Sequence, residues 1–383
     1  MTRVVHVITG LGLGGAEMVL YRLMDSLRNR PDQHHTVVSL SGESCFDFNQ
    51  IGVPLIVVDI NQLGLFRGYQ ELRRALAELK PDVVQGWMLH ACLAATLSLP
   101  RGVPMIWGIH HALHDLNAEK PFFRVLLMLG VLVSRFSSVK KILFVSHKSL
   151  NQHIKIGYKE SMTDVIPNGY DPSAFCPNAD SRVKIRAVLD QNENRLLIGN
   201  FSRVHPVKNH EMLIRAFASL SKEFPDARLV LAGNGTENKD TALARYASSR
   251  DIRDKVLFLG PRKDMAELSN ALDIYAMSSR VEAFPNVLSE ACATGVPCVA
   301  TDVGDNAVIL GGTGRLVPSE DETAFTSALR ELLRMSPQDR KDEGARARKH
   351  IAANFSQAKM AESYSALYEG IAEEARPNKS VTT

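Results

Sequence analysis

Short apolar runs rich in β-branched residues recur along the first half of the chain and alternate with amphipathic segments. Helical periodicity is evident in segments such as Ala16–Arg28 and Tyr69–Leu79. The apolar runs predict strands at Val4–Thr9, Thr36–Leu40, Leu55–Asp59, Val83–Gly86, Met105–Gly108, Lys141–Val145 and Asp164–Ile166. Because strands separated by helices pair in parallel and are covered on both faces, the pattern predicts a doubly wound α/β domain.

The same alternation starts again in the second half. A chain of 383 residues exceeds what one hydrophobic core usually supports. We therefore predict two α/β domains, residues 1–177 and 178–355, with the boundary in the proline-interrupted segment Pro172–Asp180. Helices are predicted at Glu211–Glu223 and Asp264–Ala271. Further strands are predicted at Leu196–Phe201, Arg228–Ala232, Val256–Leu259, Ile274–Met277 and Pro297–Thr301.

The end of the chain has a pattern of its own. Residues 356–375 predict a last helix, and residues 376–383 form a polar tail. The helix carries an apolar stripe made of Tyr364, Leu367, Tyr368 and Ile371. Such a stripe must pack against one of the two domains.

Composition and charge narrow the class of protein. Hydrophobic residues make up 45% and charged residues 23%, as in ordinary globular proteins. The formal net charge of +3 is too small to indicate a nucleic-acid partner, and we predict none. Five cysteines without a C-x-x-C pair or metal-like spacing indicate reduced thiols in a cytoplasmic protein. The chain opens on the strand Val4–Ile8, which differs from a signal peptide.

A glycine-rich loop follows the first predicted strand. Gly10, Gly12 and Gly15 satisfy the G-x-G-x-x-G pattern of a dinucleotide site. A nicotinamide-dependent oxidoreductase would also need an acid at the end of the second strand to bind ribose. That strand ends near Leu40, and Glu43 lies past the turn. The loop therefore favours close backbone approach to an anionic ligand, with a tight turn without a ligand as the other interpretation.

Two cations follow the first strand of the second half. Arg203 and Lys208 lie in a loop at the predicted carboxyl edge of the sheet, where open α/β folds bind ligands. Two cations at such an edge can neutralise a diphosphate as it becomes a leaving group. A solvated surface pair is the alternative.

Two carboxylates, eight positions apart, flank a predicted helix start. Glu282 precedes Pro285 and Asn286, and Glu290 falls within the first two turns. A helix N-terminus offers unpaired N–H groups and a positive dipole end, which favour a phosphate. Carboxylates would repel a bare phosphate, but they accept hydrogen bonds from hydroxyls. The combination points to a ligand with both groups, such as a sugar nucleotide.

Taken in order, these segments resemble the family 4 glycosyltransferases, which have the GT-B fold. The motifs that carry the resemblance are Gly-Gly-Ala-Glu at 14–17, Val-Ile-Pro-Asn-Gly-Tyr-Asp at 165–171, Ser-Arg…Lys at 202–208, Ala-Gly-Asn-Gly at 232–235, Glu-x7-Glu at 282–290 and Gly-Val-Pro-Cys-Val-Ala-Thr at 295–301. The resemblance implies two Rossmann-like domains facing a central cleft, with the C-terminal helix returning to the first domain. The first domain would bind the acceptor and the second the nucleotide sugar. It also implies retaining transfer without a metal or a cofactor, and the chain contains no Asp-x-Asp.

The resemblance also assigns the donor site. Arg203 and Lys208 match the pair that binds the diphosphate, and Glu290 matches the carboxylate that binds ribose. Gly14 and Gly15 match a loop that approaches the donor phosphate from the other domain. The backbone that would contact the sugar hydroxyls belongs to Phe284, Pro285, Asn286 and Val287.

Two catalytic positions follow in the same way. His110 best matches the active-site histidine after the fifth strand, and His111 is one position off. Glu282 matches the carboxylate near the transferred sugar, where it would position the donor. Ala283 departs from the usual glycine, so its methyl group bears on the choice of donor.

The function implied is a hexosyl transfer from a UDP- or GDP-linked donor to a saccharide or to a polyprenyl- or lipid-linked acceptor, in bacterial cell-surface polysaccharide, lipopolysaccharide or glycolipid synthesis. Alternatives are a nucleotide-sugar epimerase on the same fold and, less favoured, an NAD-dependent oxidoreductase. The apolar segment Pro121–Phe136, with Lys140 and Lys141 after it, has two interpretations. A buried helix is favoured for its apolar core, and a surface on an anionic membrane is the other. The second interpretation predicts a cytoplasmic enzyme peripheral to the inner membrane.

Overall fold

The computed structural model describes residues 1–12, 14–113, 120–189, 195–237 and 240–376. The chain divides into two compact units. The first unit is Met1–Gly169 together with the chain from Gln357 onward, and the second is Tyr170–Ser356. Most of the predicted polar tail, residues 377–383, lies outside the described residues.

The first unit is built on a parallel sheet of seven strands in the order β3-β2-β1-β4-β5-β6-β7. The strands are β1 (Thr2–Ile8), β2 (Gln33–Ser39), β3 (Leu55–Val57), β4 (Val83–Trp87), β5 (Met105–Ile109), β6 (Val139–Phe144) and β7 (Thr163–Val165). The helices between them are α1 (Gly15–Leu27), α2 (Ile60–Leu79), α3 (Leu89–Ser98), α4 (Pro121–Val133) and α5 (His147–Lys155), with a short 3-10 turn at Glu160–Met162. Every strand predicted for this half is therefore confirmed.

Helix α2 begins earlier than its apolar periodicity predicts. Asp59 caps it, because its carboxylate accepts hydrogen bonds from the backbone N–H groups of Asn61 and Gln62. Gly64 then interrupts the helical geometry with φ of 76°, a conformation that glycine adopts without a steric penalty. The regular part of the helix, where apolar residues recur, follows this break.

The second unit contains a parallel sheet of six strands in the order β10-β9-β8-β11-β12-β13. The strands are β8 (Leu197–Phe201), β9 (Arg228–Ala232), β10 (Val256–Phe258), β11 (Ile274–Met277), β12 (Cys298–Thr301) and β13 (Arg315–Val317). The helices are α6 (Ala179–Val188), α7 (His210–Leu220), α8 (Ala242–Ser248), α9 (Met265–Asn270), α10 (Asn286–Ala293), α11 (Asn306–Leu310), α12 (Glu322–Arg334) and α13 (Pro337–Asn354), with 3-10 turns at Pro206–Lys208 and Arg253–Lys255. The edge strand β13 was not predicted, since only Val317 of its three residues is buried.

The last helix, α14 (Gln357–Ala375), completes the first unit. Its Tyr364, Tyr368 and Ile371 are buried in the cluster that also contains residues of α1 and β1, while Leu367 is partly buried there. Inside this cluster the Tyr368 hydroxyl donates a hydrogen bond to Gln85 Oε1 of β4 at 2.5 Å. The stripe read from the sequence is therefore the docking face of α14 on the first sheet.

Alternate side chains of β1 lie on opposite faces of the first sheet. Val5 and Val7 belong to the cluster that includes residues of α2, α3 and α4. Val4 and Ile8 belong to the cluster formed with α1 and α14. Side chains of a strand alternate between faces, so burial on both sides requires the nearly continuous apolar run seen in the sequence.

Candidate active site

The strand order reverses at one strand in each sheet. In the first unit β1 lies between β2 and β4, and in the second unit β8 lies between β9 and β11. Open parallel sheets bind ligands outside the carboxyl ends of their strands at such points. The predicted glycine loop follows β1, and the loop with Arg203 and Lys208 follows β8.

The loop after β8 presents its two cations differently. Arg203 is exposed, and no carboxylate among the described residues pairs with it. Lys208 ends the 3-10 turn at Pro206–Lys208, and its side chain is only 20% exposed. The following residue, Asn209, has φ of 51° and so turns the chain sharply into α7.

The segment 232–235 packs closely against the loop that carries Arg203. The backbone N–H of Val204 donates to the carbonyl of Asn234 at 2.7 Å. Gly233 has φ of 138°, and a Cβ there would collide with the Ser202 carbonyl. A Cβ on Gly235 would press on the Val204 side chain. The two glycines are thus explained by the close approach of the Arg203 loop.

Lys208 and Glu282 form a direct ion pair. Lys208 Nζ lies 2.5 Å from Glu282 Oε1, and the Glu282 side chain is 10% exposed. The same carboxylate oxygen also accepts a hydrogen bond from Ser279 Oγ at 2.7 Å. Ser279 is tied in turn to β12, because its carbonyl accepts from Thr301 Oγ1 at 2.6 Å. Sequence reasoning assigned no role to Ser279; its spacing of three residues from Glu282 is the only signal.

Helix α10 begins where the sequence predicted. Pro285 is its N-cap residue and makes no side-chain cap hydrogen bond. Glu290 lies in the second turn and is 8% exposed. Burial raises the pKa of the Tyr275 phenol well above its usual value, and the charges of Glu282 and Glu290 raise it further. Both carboxylates therefore lie near the same tyrosine of β11.

The backbone leading into α10 is fixed at several points. The Phe284 ring packs against Phe355 with centroids 5.3 Å apart. The Ala283 carbonyl accepts a hydrogen bond from the Asp305 N–H at 3.0 Å. Gly304 beside it has φ of 55°, and a Cβ there would collide with the carbonyls of Glu282 and Ala283. Ala283 itself is buried, so its methyl group faces protein atoms over most of its surface.

The glycine loop of the first unit leads into α1. Gly14 is the N-cap of this helix and has no side chain to cap it. The Glu17 carboxylate folds back over this position, where a Cβ on Gly14 would collide with it. Burial raises the pKa of Glu17 above its usual value. Sequence reasoning noted Glu17 only as part of a motif, and its fold-back onto Gly14 was not foreseen.

His110 follows β5 directly and stacks on Trp87. The ring centroids are 4.8 Å apart and the planes are inclined by 20°. Burial lowers the pKa of His110 to about 4, so the imidazole is neutral at pH 7. His110 Nε2 is buried without a hydrogen-bond partner among the described residues. A neutral imidazole has one N–H donor and one acceptor nitrogen.

His111 has a different environment from its neighbour. Its ring packs edge-on against Phe123 and His153, with centroids 5.5 Å and 5.2 Å away. Burial, with the nearby His153, His110 and His90, lowers the pKa of His111 to about 3. The two histidines therefore differ in packing, with His110 on an indole face and His111 in a ring cluster.

The structure brings part of the predicted site together. Lys208 and Glu282 form an ion pair, and Glu282 and Glu290 both lie near Tyr275. Arg203 lies on the same loop as Lys208, and among the described residues it forms no ion pair with either carboxylate. Gly14, Gly15 and His110 belong to the first unit. Across the described ranges, no group of three or more His, Cys, Asp or Glu side chains is arranged to hold a metal ion.

Two family profiles match the chain, one in each half. The profile described as Glycosyltransferase Family 4 matches residues 13–174, and the profile described as Glycosyl transferases group 1 matches residues 181–350. The chain belongs to the family 4 glycosyltransferases. The transferase function is thereby shown, and the epimerase and oxidoreductase interpretations are set aside.

Relatives of this glycosyltransferase include enzymes with different substrates. The chain is 26% identical over 373 residues to N-acetyl-alpha-D-glucosaminyl L-malate synthase of Bacillus anthracis. The alignment covers 93% of this chain and 94% of that protein. It is 30% identical over 201 residues to a GDP-mannose-dependent alpha-(1-6)-phosphatidylinositol monomannoside mannosyltransferase of Mycolicibacterium smegmatis, covering 50% and 52%.

Solved structures show the same fold. HepE of Anabaena, solved with UDP and glucose, aligns with a TM-score of 0.82 and 20% identity over 97% of this chain and 100% of that chain. At this identity the likeness concerns the fold alone, which is GT-B as predicted.

Proposed function

We propose that this glycosyltransferase moves a sugar from a nucleotide-sugar donor to a saccharide or lipid-linked acceptor, with retention of anomeric configuration and without a metal or cofactor. The observation that carries the proposal is the Lys208–Glu282 ion pair beside the start of α10. A cation beside a helix N-terminus suits a diphosphate. Carboxylates beside them suit the hydroxyls of ribose and of the sugar.

The proposed reaction uses these groups to stabilise separating charge. The bond between the anomeric carbon and the diphosphate oxygen breaks, and its electron pair leaves with the diphosphate. The acceptor oxygen forms the new bond on the same face, and its proton passes to the departing phosphate. Arg203, Lys208 and the N-terminus of α10 would stabilise the leaving group, which preorganised charges do effectively.

The remaining assignments follow from the same proposal. Glu290 would bind the ribose hydroxyls, while Glu282 would position the transferred sugar and stabilise its positive charge. His110 would hydrogen-bond the donor sugar as a neutral imidazole, since its pKa of about 4 leaves it uncharged at pH 7. Gly14 and Gly15 would approach the donor phosphate through their backbone.

The nucleotide is proposed as UDP or GDP. HepE was solved with UDP and glucose, while the mycobacterial relative is named for GDP-mannose. A thermal-shift series with UDP, GDP, ADP and NAD would decide, because a ligand that binds only the folded protein raises the melting temperature by mass action. We expect a rise with UDP or GDP that Lys208→Ala reduces and the exposed control Lys222→Ala retains. A rise with NAD alone would contradict the proposal.

We also propose that α4 lies on an anionic membrane, which would place the enzyme peripherally on the cytoplasmic face of the inner membrane. Its inner face is buried through Leu127 and Val131, as the favoured interpretation predicted. Its outer face is apolar, however, with Phe122 74% and Leu132 64% exposed. No helix within the described ranges is long and apolar enough to cross a membrane.

Basic residues lie within α4 or close to it in the sequence. They are Lys120, Arg124, Arg135, Lys140 and Lys141, and Lys141 Nζ also lies 3.7 Å from Asp164 Oδ2. An apolar face with flanking cations is the combination that binds anionic bilayers, and the lipid-linked substrate in the name of the mycobacterial relative agrees with it.

Vesicle co-sedimentation tests this surface. We expect binding to vesicles containing phosphatidylglycerol at low salt and loss of binding in Phe122→Ser/Leu132→Ser. Val183→Ser, a control in the second unit at a residue 62% exposed, should bind like the unchanged protein. Equal binding by all three proteins, or none by any, would reject the membrane role of α4.

A further inference from the structure

Trp87 is the last residue of β4 and is fully buried. In the neighbouring strand β5, the residue paired with Trp87 is Gly108, two residues before His110. The indole lies nearly parallel to the His110 ring, at 4.8 Å between centroids. It also lies near the Tyr364 ring of α14, at 6.0 Å and 24°. The face of the indole is therefore the surface on which His110 rests.

The orientation of the indole is fixed by a hydrogen bond at its edge. Trp87 Nε1 lies 3.2 Å from His6 Nδ1. An indole N–H can only donate, so His6 Nδ1 must accept and His6 carries its proton on Nε2. That nitrogen lies 3.0 Å from His35 Nδ1. His6 therefore donates to His35, and the tautomers of both rings are fixed by the indole.

Both histidines are neutral near pH 7, as this chain of hydrogen bonds requires. Burial, and then the nearby His35, lowers the pKa of His6 well below its usual value. Burial and the charge of His34 lower the pKa of His35 to about 4, although Asp32 opposes this effect. The hydrogen bonds among Trp87, His6 and His35 therefore persist over the working range of pH.

His110 has no comparable anchor of its own. Its Nε2 is buried without a hydrogen-bond partner among the described residues, and the stack on Trp87 is the ring contact that it makes there. A ring that packs through one face is held only as firmly as the group on which it packs. Because the Trp87 indole is fixed, it holds the His110 ring in place.

We propose that Trp87 is a positioning residue for His110, and that His6 holds Trp87 in place through its Nδ1. The inference rests on the proposed role of His110 in binding the donor sugar. Misplacing a catalytic group by about 1 Å can reduce turnover about 100-fold. Loss of the stack should therefore lower kcat by about 10- to 100-fold while the donor KM changes little.

The variants separate the stack from the hydrogen bond. Trp87→Leu removes the aromatic face, and Trp87→Phe keeps a face but removes the N–H donor. The matched control is Trp107→Phe, because Trp107 is the other tryptophan and is equally buried. Its Nε1 donates to Thr96 Oγ1 at 2.9 Å, and it makes no ring contact with His110 within the described ranges.

His6 offers a conservative rescue. His6→Asn retains an acceptor at the position of Nδ1, whereas His6→Leu removes it. We expect kcat near that of the unchanged protein for His6→Asn and a reduced kcat for His6→Leu. We expect the lowest kcat for Trp87→Leu, an intermediate value for Trp87→Phe, and an unchanged value for Trp107→Phe.

A direct readout of the ring accompanies the kinetics. The His110 imidazole protons, assigned in ¹H–¹⁵N and ¹H–¹³C spectra by comparison with His110→Ala, should show an upfield ring-current shift that Trp87→Leu abolishes. A shift and kcat that survive in Trp87→Leu would overturn the proposal, whatever happens to the melting temperature. Normal kinetics in His110→Ala would instead reject the proposed role of His110, while the spectra would still report whether Trp87 holds the ring.

Discussion

The two oxygens of the Glu282 carboxylate have different surroundings. Oε1 accepts hydrogen bonds from both Lys208 Nζ and Ser279 Oγ, while no described residue donates a hydrogen bond to Oε2. One oxygen is thus fixed by protein, and the other is available to a hydroxyl of the sugar. Lys208 retains two further N–H groups for the diphosphate, since an ammonium has three donors.

The first prediction separates the roles of Lys208 and Glu290. Lys208→Ala should lower kcat by about 100- to 1,000-fold, because it removes a charge that stabilises the leaving group. Glu290→Ala should chiefly raise the donor KM, by about 10-fold, because it loses charge-assisted hydrogen bonds to ribose in both the ground state and the transition state. Steady-state kinetics with the donor identified by thermal shift would measure both effects.

The control for this pair is Lys222→Ala, an exposed lysine after α7. It should have the kinetics of the unchanged protein. Near-normal kinetics in Lys208→Ala and Glu290→Ala together would reject the site.

At the scale of elements, the start of α10 depends on how closely two loops approach. The loop at Gly304 passes beneath the carbonyls of Glu282 and Ala283, and the Asp305 N–H binds the latter. This contact fixes the backbone that leads to Pro285 and to the first N–H groups of the helix. The direction of those groups is therefore set by a glycine more than fifteen residues further along the chain.

The second prediction tests this approach with two glycines of similar backbone geometry. Gly304→Ala should destabilise the protein and lower kcat by about 10-fold or more, because its Cβ would push the 282–283 backbone away. Gly312 also has a left-handed backbone, with φ of 80°, but no atom lies within 4 Å of its Cβ position. Gly312→Ala should cost only the conformational strain and leave kcat unchanged. Equal kinetics in the two variants would show that the contact at Gly304 is unimportant.

Elements marked by a long apolar run, or by a proline at a boundary, were predicted well. The long apolar runs gave the central strands, and Pro285 before an apolar segment gave the start of α10. The edge strand β13 was missed, because two of its three residues are not buried and no apolar run marks it. Edge strands are covered on fewer sides, so their sequences carry less of the hydrophobic signal.

The site was predictable only where a motif marked it. Lys208, Glu282 and Glu290 follow from charge at predicted strand and helix ends. Ser279 lies three residues from Glu282 but in an irregular segment, where no periodicity predicts which side chains meet. Trp87 contacts His110, which follows the neighbouring strand. Such partners are set by tertiary packing, which local periodicity does not encode.

At the scale of the whole molecule, buried histidines link stability to pH. Burial lowers the pKa of His35, His110, His153 and His210 to about 4. In the unfolded chain a histidine titrates near 6.5. The neutral form is therefore favoured in the folded protein, and stability is lost as the pH falls from about 6.5 toward about 4.

The third prediction measures this loss. The free energy of unfolding should fall between pH 7 and pH 5, with His35 alone contributing roughly 2 kcal/mol. Urea unfolding at several pH values would show the slope. His35→Gln should reduce the slope more than His34→Gln, because His34 is exposed and acts on the pKa of His35 only through its charge. A slope that is the same in both variants would mean that His35 is not the group that titrates.

Tyr170 donates its N–H to the Phe355 carbonyl at 3.0 Å, so the two ends of the second unit are joined by a hydrogen bond. That unit is consequently an insertion into the first, whose final element, α14, is encoded after it. During synthesis on the ribosome, the face of the first sheet that binds α14 is not covered by that helix until the entire insertion has been translated. The insertion has no such delay, since all of its elements are contiguous, and residues 170–356 should fold when expressed by themselves.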